Sequence, residues 1–347
     1  MRVPTAVVCP DKFRGSLSAE AAARAMAAGL ERGGFDRIAE IPMADGGEGT
    51  LDALLAARGG SRRSARVTGP LGEPVDAQWG VLPGGVGVVE MARASGMLLV
   101  AGPNDPLRAS TRGTGELIAT ARAQGCRRVV VAVGGSATTD GGLAAVEALG
   151  WSLQGIDVTV ACDVDTPFLD AASVFAPQKG ATPAQVALLS RRLALLAQQY
   201  RSRTGVDVAA LPGAGAAGGL AGGLAAIGAR LVPGFEAVAD AVGLEAAMDG
   251  ADLVVTGEGA LDATSLAGKV VGGVVEWADQ LGVGSVAVIA GRAADDTRAA
   301  LVRRPHTQVL TLVERVWQER EAFEKAAVLV EEAAIEAART ALGTPGP

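Results

Sequence analysis

Short runs of consecutive apolar, largely β-branched residues recur along the chain, separated by longer stretches whose apolar positions repeat at helical spacing. The runs are TAVVCP (5–10), RIAEIPMA (37–44), VGVVEMA (86–92), RVVVAVGG (128–135), VTVACDV (158–164), ADLVVTGEG (251–259), VAVIAG (286–291) and QVLTLVE (308–314). Unbroken apolar runs fit strands covered on both faces. Their alternation with helical segments predicts an α/β fold with mostly parallel sheet. The helical pattern is clearest over 18–32, with Ser18 as N-cap and Gly33 as stop, and over 114–124, 184–203 and 315–341. The last segment reads as one long amphipathic helix with a solvated Glu and Arg face. Residues 208–229 carry no charge, yet their seven glycines, one proline and four Leu or Ile predict a Gly-rich loop feeding a small-faced helix rather than a membrane span. No repeat of fixed period is present, and the Gly-Thr-Pro-Gly-Pro tail, 343–347, is expected to fray.

Composition narrows the function classes. With 347 residues the chain exceeds the roughly 250–300 that one core usually serves, so two domains are expected. A net charge of -7 with 3% aromatics offers neither a basic stripe nor a stacking platform, which argues against a nucleic-acid partner. Three separated cysteines (Cys9, Cys126, Cys162) without a CxxC pattern point to a reducing, cytoplasmic setting. The single histidine, His306, follows Arg303, Arg304 and Pro305 and reads as a solvated loop residue, so His-dependent triads and most histidine metal sites drop out. The N-terminal apolar run is too short for a signal peptide and leads straight into charge.

The chemistry collects where the apolar runs end. Asp11-Lys12 follows the first, Asp45-Gly46-Gly47-Glu48 the second and Gly134-Gly135-Ser136 the fourth; Asp163 lies in the fifth and Glu258 in the sixth. Ligands of open α/β sheets sit outside the carboxyl ends of the strands, so these groups are expected to converge on one crevice. Gly134, Gly135 and Ser136, with a helix expected from about Asp140, offer N–H groups and a positive dipole end suited to phosphate. Gly113-Thr114-Gly115-Glu116 repeats the arrangement before ELIATARAQ. Carboxylates among phosphate cradles, with no histidine, suggest Mg²⁺, and the combination reads as phosphoryl transfer. GAGAAG (213–218) matches the dinucleotide fingerprint but follows Pro212 and a weak strand. ATSLAGKV (263–270) approximates a P-loop, with Ala263 for the first glycine and Val270 for the hydroxyl, leaving Lys269 as a phosphate ligand without a Walker loop.

Ten blocks carry a family resemblance. DKFRGSLSAEAAA (11–23), IPMADGGEGT (41–50), VTGPLGEPV (67–75), VEMARASGM (89–97), GTGELI (113–118), VGGSATTDGG (133–142), CDVDTPF (162–168), VFAPQKGAT (174–182), GAGAAGG (213–219) and VVTGEGALD (254–262) resemble, in order, the blocks of the bacterial glycerate kinases. The resemblance implies ATP- and Mg²⁺-dependent phosphorylation of D-glycerate to 2-phosphoglycerate. It also implies one discontinuous flavodoxin-like domain (1–65 plus 285–347) with a second α/β domain (66–284) inserted and the active site in the cleft between them. On that reading Asp163 or Asp45 takes the proton from the attacking hydroxyl, Lys12 and Lys179 neutralise phosphate, and Glu258 with Asp262 holds Mg²⁺. Arg14, Arg93 or the 134–136 turn takes the substrate carboxylate, with Ser16, Gly113, Thr114 and Lys269 completing the anion site and Asp140 a ligand or helix cap beside it. The chain departs from the family at Arg14, Arg112, Thr139, Thr166, Asp170, Ala260 and Thr264, mostly in glycine and acidic turns, which bears on the acceptor rather than the chemistry. A kinase for another small hydroxy acid and a non-catalytic sensor on the same fold are the alternatives. The pattern leaves oligomeric state undetermined.

Overall fold

The structure, a computed structural model, describes residues 3–343; the tail expected to fray lies, from residue 344 on, outside them. Within these residues are eleven strands: β1 (Thr5–Val8), β2 (Arg37–Glu40), β3 (Ser61–Thr68), β4 (Pro74–Leu82), β5 (Val86–Glu90), β6 (Arg128–Ala132), β7 (Asp157–Ala161), β8 (Arg230–Val232), β9 (Leu253–Leu261), β10 (Val286–Ala293) and β11 (Thr307–Thr311). Every apolar run singled out in the sequence is among them. The chain is mixed α/β and folds as two compact units. The first comprises 1–45, 52–58 and 238–347, and the second comprises 46–51 and 59–237.

The first unit is built on a five-stranded sheet of order β11-β10-β9-β1-β2, all neighbours parallel. Renumbered along this unit alone, that is the flavodoxin-like order 2-1-3-4-5, whose switch point lies between β1 and β9. Segment 238–284, expected in the inserted domain, belongs here instead. β9 pairs with β1 on one side and β10 on the other, so it is central to this sheet. One face is covered by two alanine-rich helices, Ala19–Gly33 and Ala326–Leu342. Ala22, Met26 and Leu30 of the first pack with Leu329, Val330, Ala333 and Ala337 of the second in one buried cluster. A Cβ on Gly29 would stand 2.3 Å from the Glu331 carbonyl, so the two backbones approach as only glycine allows. Ser18 caps the first helix as expected, its Oγ accepting from the Ala21 N–H at 3.1 Å, and the stop is Gly34, one residue beyond the expected Gly33, at φ 106°. The segment expected as one helix over 315–341 is broken. A short helix, Glu319–Glu324, ends at Lys325, whose φ of -107° and ψ of 15° leave helical geometry before Ala326–Leu342 begins.

The second unit carries a six-stranded sheet of order β3-β4-β5-β6-β7-β8, antiparallel from β3 to β5 and parallel from β5 to β8. Trp79, Val89, Val131, Val158 and Leu220 are part of its core. Residues 208–229 follow the expected loop-to-helix course, with Ala216–Ala226 wholly buried. Among the described residues no helix is long and apolar enough to cross a membrane.

Candidate active site

In the first unit a cavity of about 370 Å³ opens at the switch point of the sheet. Asp11, Lys12, Arg14 and Ser16 reach it from the turn after β1, Asp45 from the loop after β2, Glu258 from β9, and Asp262 and Lys269 from the segment after it. The turn is tight: Ser16 N–H donates to the Phe13 carbonyl at 2.9 Å, Phe13 N–H donates to the Leu17 carbonyl at 2.9 Å, and Gly15 supplies a φ of 83°. Seven of the residues selected from the sequence, together with Asp11, thus share one concavity. Lys269, in the rejected P-loop match, precedes the helix Val270–Leu281 rather than lying in a glycine loop.

The cavity's electrostatics are dominated by carboxylates held close together. Burial, and then the charge of Asp45, push the Asp11 carboxyl up to about 6, against the N–H and ammonium of Lys12 and the charge of Arg14. Glu258 is likewise raised, first by burial and then by Asp11 and Asp262, with the Ser265 hydroxyl and Lys269 opposing. Its Oε1 is buried and has no hydrogen-bond partner. Asp262 is exposed, and its carboxyl is lowered by the hydroxyl and N–H of Thr264, which donate to Oδ1 at 2.6 and 2.8 Å.

The second unit gathers the remaining residues into a different environment. Lys179, only 4% exposed, donates to Ser136 Oγ at 2.7 Å and to the Thr138 carbonyl at 2.6 Å. Burial pulls its ammonium down to about 8, and Asp140 opposes that shift. The Gly134–Ser136 turn is pinned by Met97 N–H donating to the Gly135 carbonyl and Ala137 N–H donating to the Ser95 carbonyl, at 2.9 and 3.0 Å. A Cβ on Gly134 would lie 3.0 Å from Gly47 Cα, so the Gly46–Gly49 loop closes against this turn because both residues are glycine. Asp163 is exposed and accepts from the Gly234 N–H at 2.8 Å.

Two of the expected groups sit in closely packed surroundings. Gly113 and Thr114 lie in the first turn of the helix Arg112–Ala123 and are buried. Thr114 N–H already donates to the Thr111 carbonyl at 3.0 Å, and a Cβ on Gly113 would sit 2.0 Å from the Thr68 carbonyl oxygen. Close packing by itself requires glycine at that position. Asp140 ties together the ends of two helices: it accepts from Thr111 N–H at 2.9 Å, Thr111 Oγ1 at 2.8 Å and Gly142 N–H at 3.2 Å. Burial raises its carboxyl and these bonds lower it. The helix expected from about Asp140 is Leu143–Ala148.

One supporting residue escaped the sequence reading. Glu90, at the end of β5 and 2% exposed, accepts from the N–H groups of Gly49 and Leu51 at 2.9 and 3.0 Å and pairs with Arg93. Arg93, expected to hold the substrate carboxylate, is thereby engaged with Glu90. The signal was faint, a single acid ending an otherwise apolar run.

Comparison with known proteins supplies the decisive observation. The model of the glycerate kinase family matches residues 6–155 and 151–342. The chain belongs to the glycerate kinase family. It is 40% identical to the glycerate 2-kinase of Escherichia coli over 84% of this chain and 86% of that protein. It is 38% identical to a glycerate kinase of Halalkalibacterium halodurans over 95% and 96%. A crystal structure of a putative glycerate kinase 2 from Salmonella typhimurium LT2 superposes with a TM-score of 0.83 at 33% identity, covering 99% of both chains. Membership makes the protein a kinase, and a non-catalytic sensor is set aside.

A kinase of this family needs its phosphates neutralised, and the cavity's donor set can be tested for a divalent ion. Among the described residues no group of three His, Cys, Asp or Glu side chains is arranged to hold a metal by itself. Mg²⁺ usually needs only one or two carboxylates, taking the rest of its oxygens from water and substrate phosphate. The orphaned Oε1 of Glu258, in a cavity also lined by Asp11, Asp45 and Asp262, fits that requirement.

Proposed function

We propose that the protein transfers a phosphoryl group from ATP to D-glycerate with Mg²⁺, forming 2-phosphoglycerate. The observation that supports this best is the first unit's cavity, where Lys12, Arg14 and Lys269 stand among Asp11, Asp45, Glu258 and Asp262 in a chain of kinase family. The product follows the name of the E. coli relative, a glycerate 2-kinase.

Phosphoryl transfer asks a protein mainly to position its reactants and to neutralise charge. Lys12 and Lys269 supply point charges for phosphate, and the Arg14 fork suits the carboxylate of the acceptor. Glu258 and Asp262 would hold Mg²⁺, which when bound neutralises charge on the phosphates. The Asp11–Asp45 pair takes the proton from the attacking hydroxyl, because an acid raised to about 6 is close to neutral operating pH. Asp163, the other base considered, already accepts from the Gly234 amide. In the second unit Gly135 and Ser136, backed by Lys179, suit an anionic group. The reaction belongs in the cytoplasm, which three free cysteines fit.

The test is ADP release, followed enzymatically, with D-glycerate, L-glycerate, glycolate and lactate as acceptors. D-Glycerate-dependent release is expected; release that is faster with another acid would move the acceptor, and release with none would remove the reading.

A further inference from the structure

The cavity in the first unit is lined by apolar side chains as well as by the charged groups used so far. Its apolar lining includes Phe13, Leu312, Val313, Ala322 and Phe323. Phe13, Leu312 and Ala322 are buried core residues, but Phe323 is 52% exposed. The Phe323 ring also lies beside the turn after β1: a Cβ on Gly15 would be 3.9 Å from its Cε1. It is carried by the short helix Glu319–Glu324, and the Val313 and Glu319 that flank the link to that helix both line the same cavity. Trp317, 99% exposed, stands on that link.

D-Glycerate, a small polar acid, has no surface that such a lining would recognise. A nucleotide has both kinds of surface, a flat base and a polyanionic tail. A volume of about 370 Å³ is also in the range of cavities that enclose drug-sized ligands, roughly 300–1,000 Å³. Building on the kinase reading above, we propose that this cavity is the nucleotide subsite, with the base of a nucleoside triphosphate stacked on Phe323 and its phosphates directed to Lys12 and Lys269. An exposed aromatic ring beside a charged turn is then the base platform, and the apolar residues behind it exclude water from one edge of the base.

The experiment is calorimetric titration of the whole protein with three ligands: Mg²⁺ with the non-hydrolysable ATP analogue AMP-PNP, Mg²⁺ with tripolyphosphate, and D-glycerate. Stacking of one base on an aromatic ring contributes about 1–3 kcal/mol, so Phe323→Ala should weaken AMP-PNP binding at least about fivefold. The same variant should bind tripolyphosphate and D-glycerate as the wild type does, because neither carries a base. Lys269→Ala should weaken AMP-PNP and tripolyphosphate together. Since Phe323 is half exposed, its truncation leaves the fold intact, and unchanged D-glycerate affinity checks that directly. Wild-type AMP-PNP affinity in Phe323→Ala overturns the proposal while leaving the kinase reading in place. A wild-type protein that binds no AMP-PNP overturns both.

Discussion

Replacing Lys179 by methionine separates the energetics of a buried cation from those of its neighbours. The ammonium is 4% exposed, and burial takes it from the usual 10.5 to about 8 in the folded protein. Below pH 8 the group is charged in both states, so the folded protein carries the full desolvation cost. Between 8 and 10.5 the unfolded chain keeps a proton that the folded chain has lost, and stability rises with pH. A shift of that size corresponds to about 3 kcal/mol in total, of which about 2 kcal/mol is recovered between pH 7 and 9.5. Other groups act in the opposite direction. Burial holds the thiols of Cys9 and Cys162 and the phenol of Tyr200 above their ordinary values, so their ionisation in the unfolded chain erodes stability in alkali. The quantity to measure is therefore the wild-type minus Lys179→Met difference in unfolding free energy from urea titrations, since the shared terms cancel. The substitution also strips Ser136 Oγ and the Thr138 carbonyl of a donor, an offset that does not vary with pH. The difference should move by about 2 kcal/mol in favour of the wild type from pH 7 to 9.5. A difference that stays flat, or moves the other way, would show that Lys179 is not held as a desolvated ammonium.

Three further outcomes follow from the geometry. Glu258→Gln should preserve the fold but raise the Mg²⁺ concentration needed for half-maximal turnover by about 10–100-fold, read from a metal titration at fixed ATP. Gly113→Ala should lower the unfolding free energy by about 2 kcal/mol or more, because its Cβ would meet the Thr68 carbonyl at 2.0 Å; a stable variant with weakened phosphate binding would favour the anion reading. Glu90→Ala should cost about 3–5 kcal/mol and Glu90→Gln markedly less, measured by urea denaturation, since glutamine keeps an acceptor for the Gly49 and Leu51 amides.

Most strands legible in the sequence are largely buried, because an unbroken apolar run survives in the sequence whatever it packs against; β2, with no buried residue, was betrayed by the apolar residues that follow it. The hairpin β3–β4 went unseen: Ser61–Thr68 carries three arginines and is largely exposed, so no apolar run betrays it. β8, three residues long, is too short to leave a period. The chain's return to the first unit went unseen too, since β9 is placed by pairing with β1 near the other end of the chain and nothing in its composition names that partner. The site followed the same division. Ligand placement at strand ends depends on topology, so Asp11, Lys12 and Glu258 could be anticipated together. The coupling of Asp11 to Asp45, the service of Glu90 to the Gly49 amide and the place of Phe323 in the cavity lining arise only when separate segments meet. The packing demand on Gly113 was not legible, because a glycine needed for helix packing and one needed to admit a phosphate look alike in sequence.

The most direct test of the account is the phosphorus NMR spectrum of the purified protein incubated with Mg²⁺, ATP and D-glycerate. The account predicts a new resonance matching authentic 2-phosphoglycerate, growing as ADP appears and absent without Mg²⁺. A resonance matching 3-phosphoglycerate, or ATP left intact by folded protein, would contradict it.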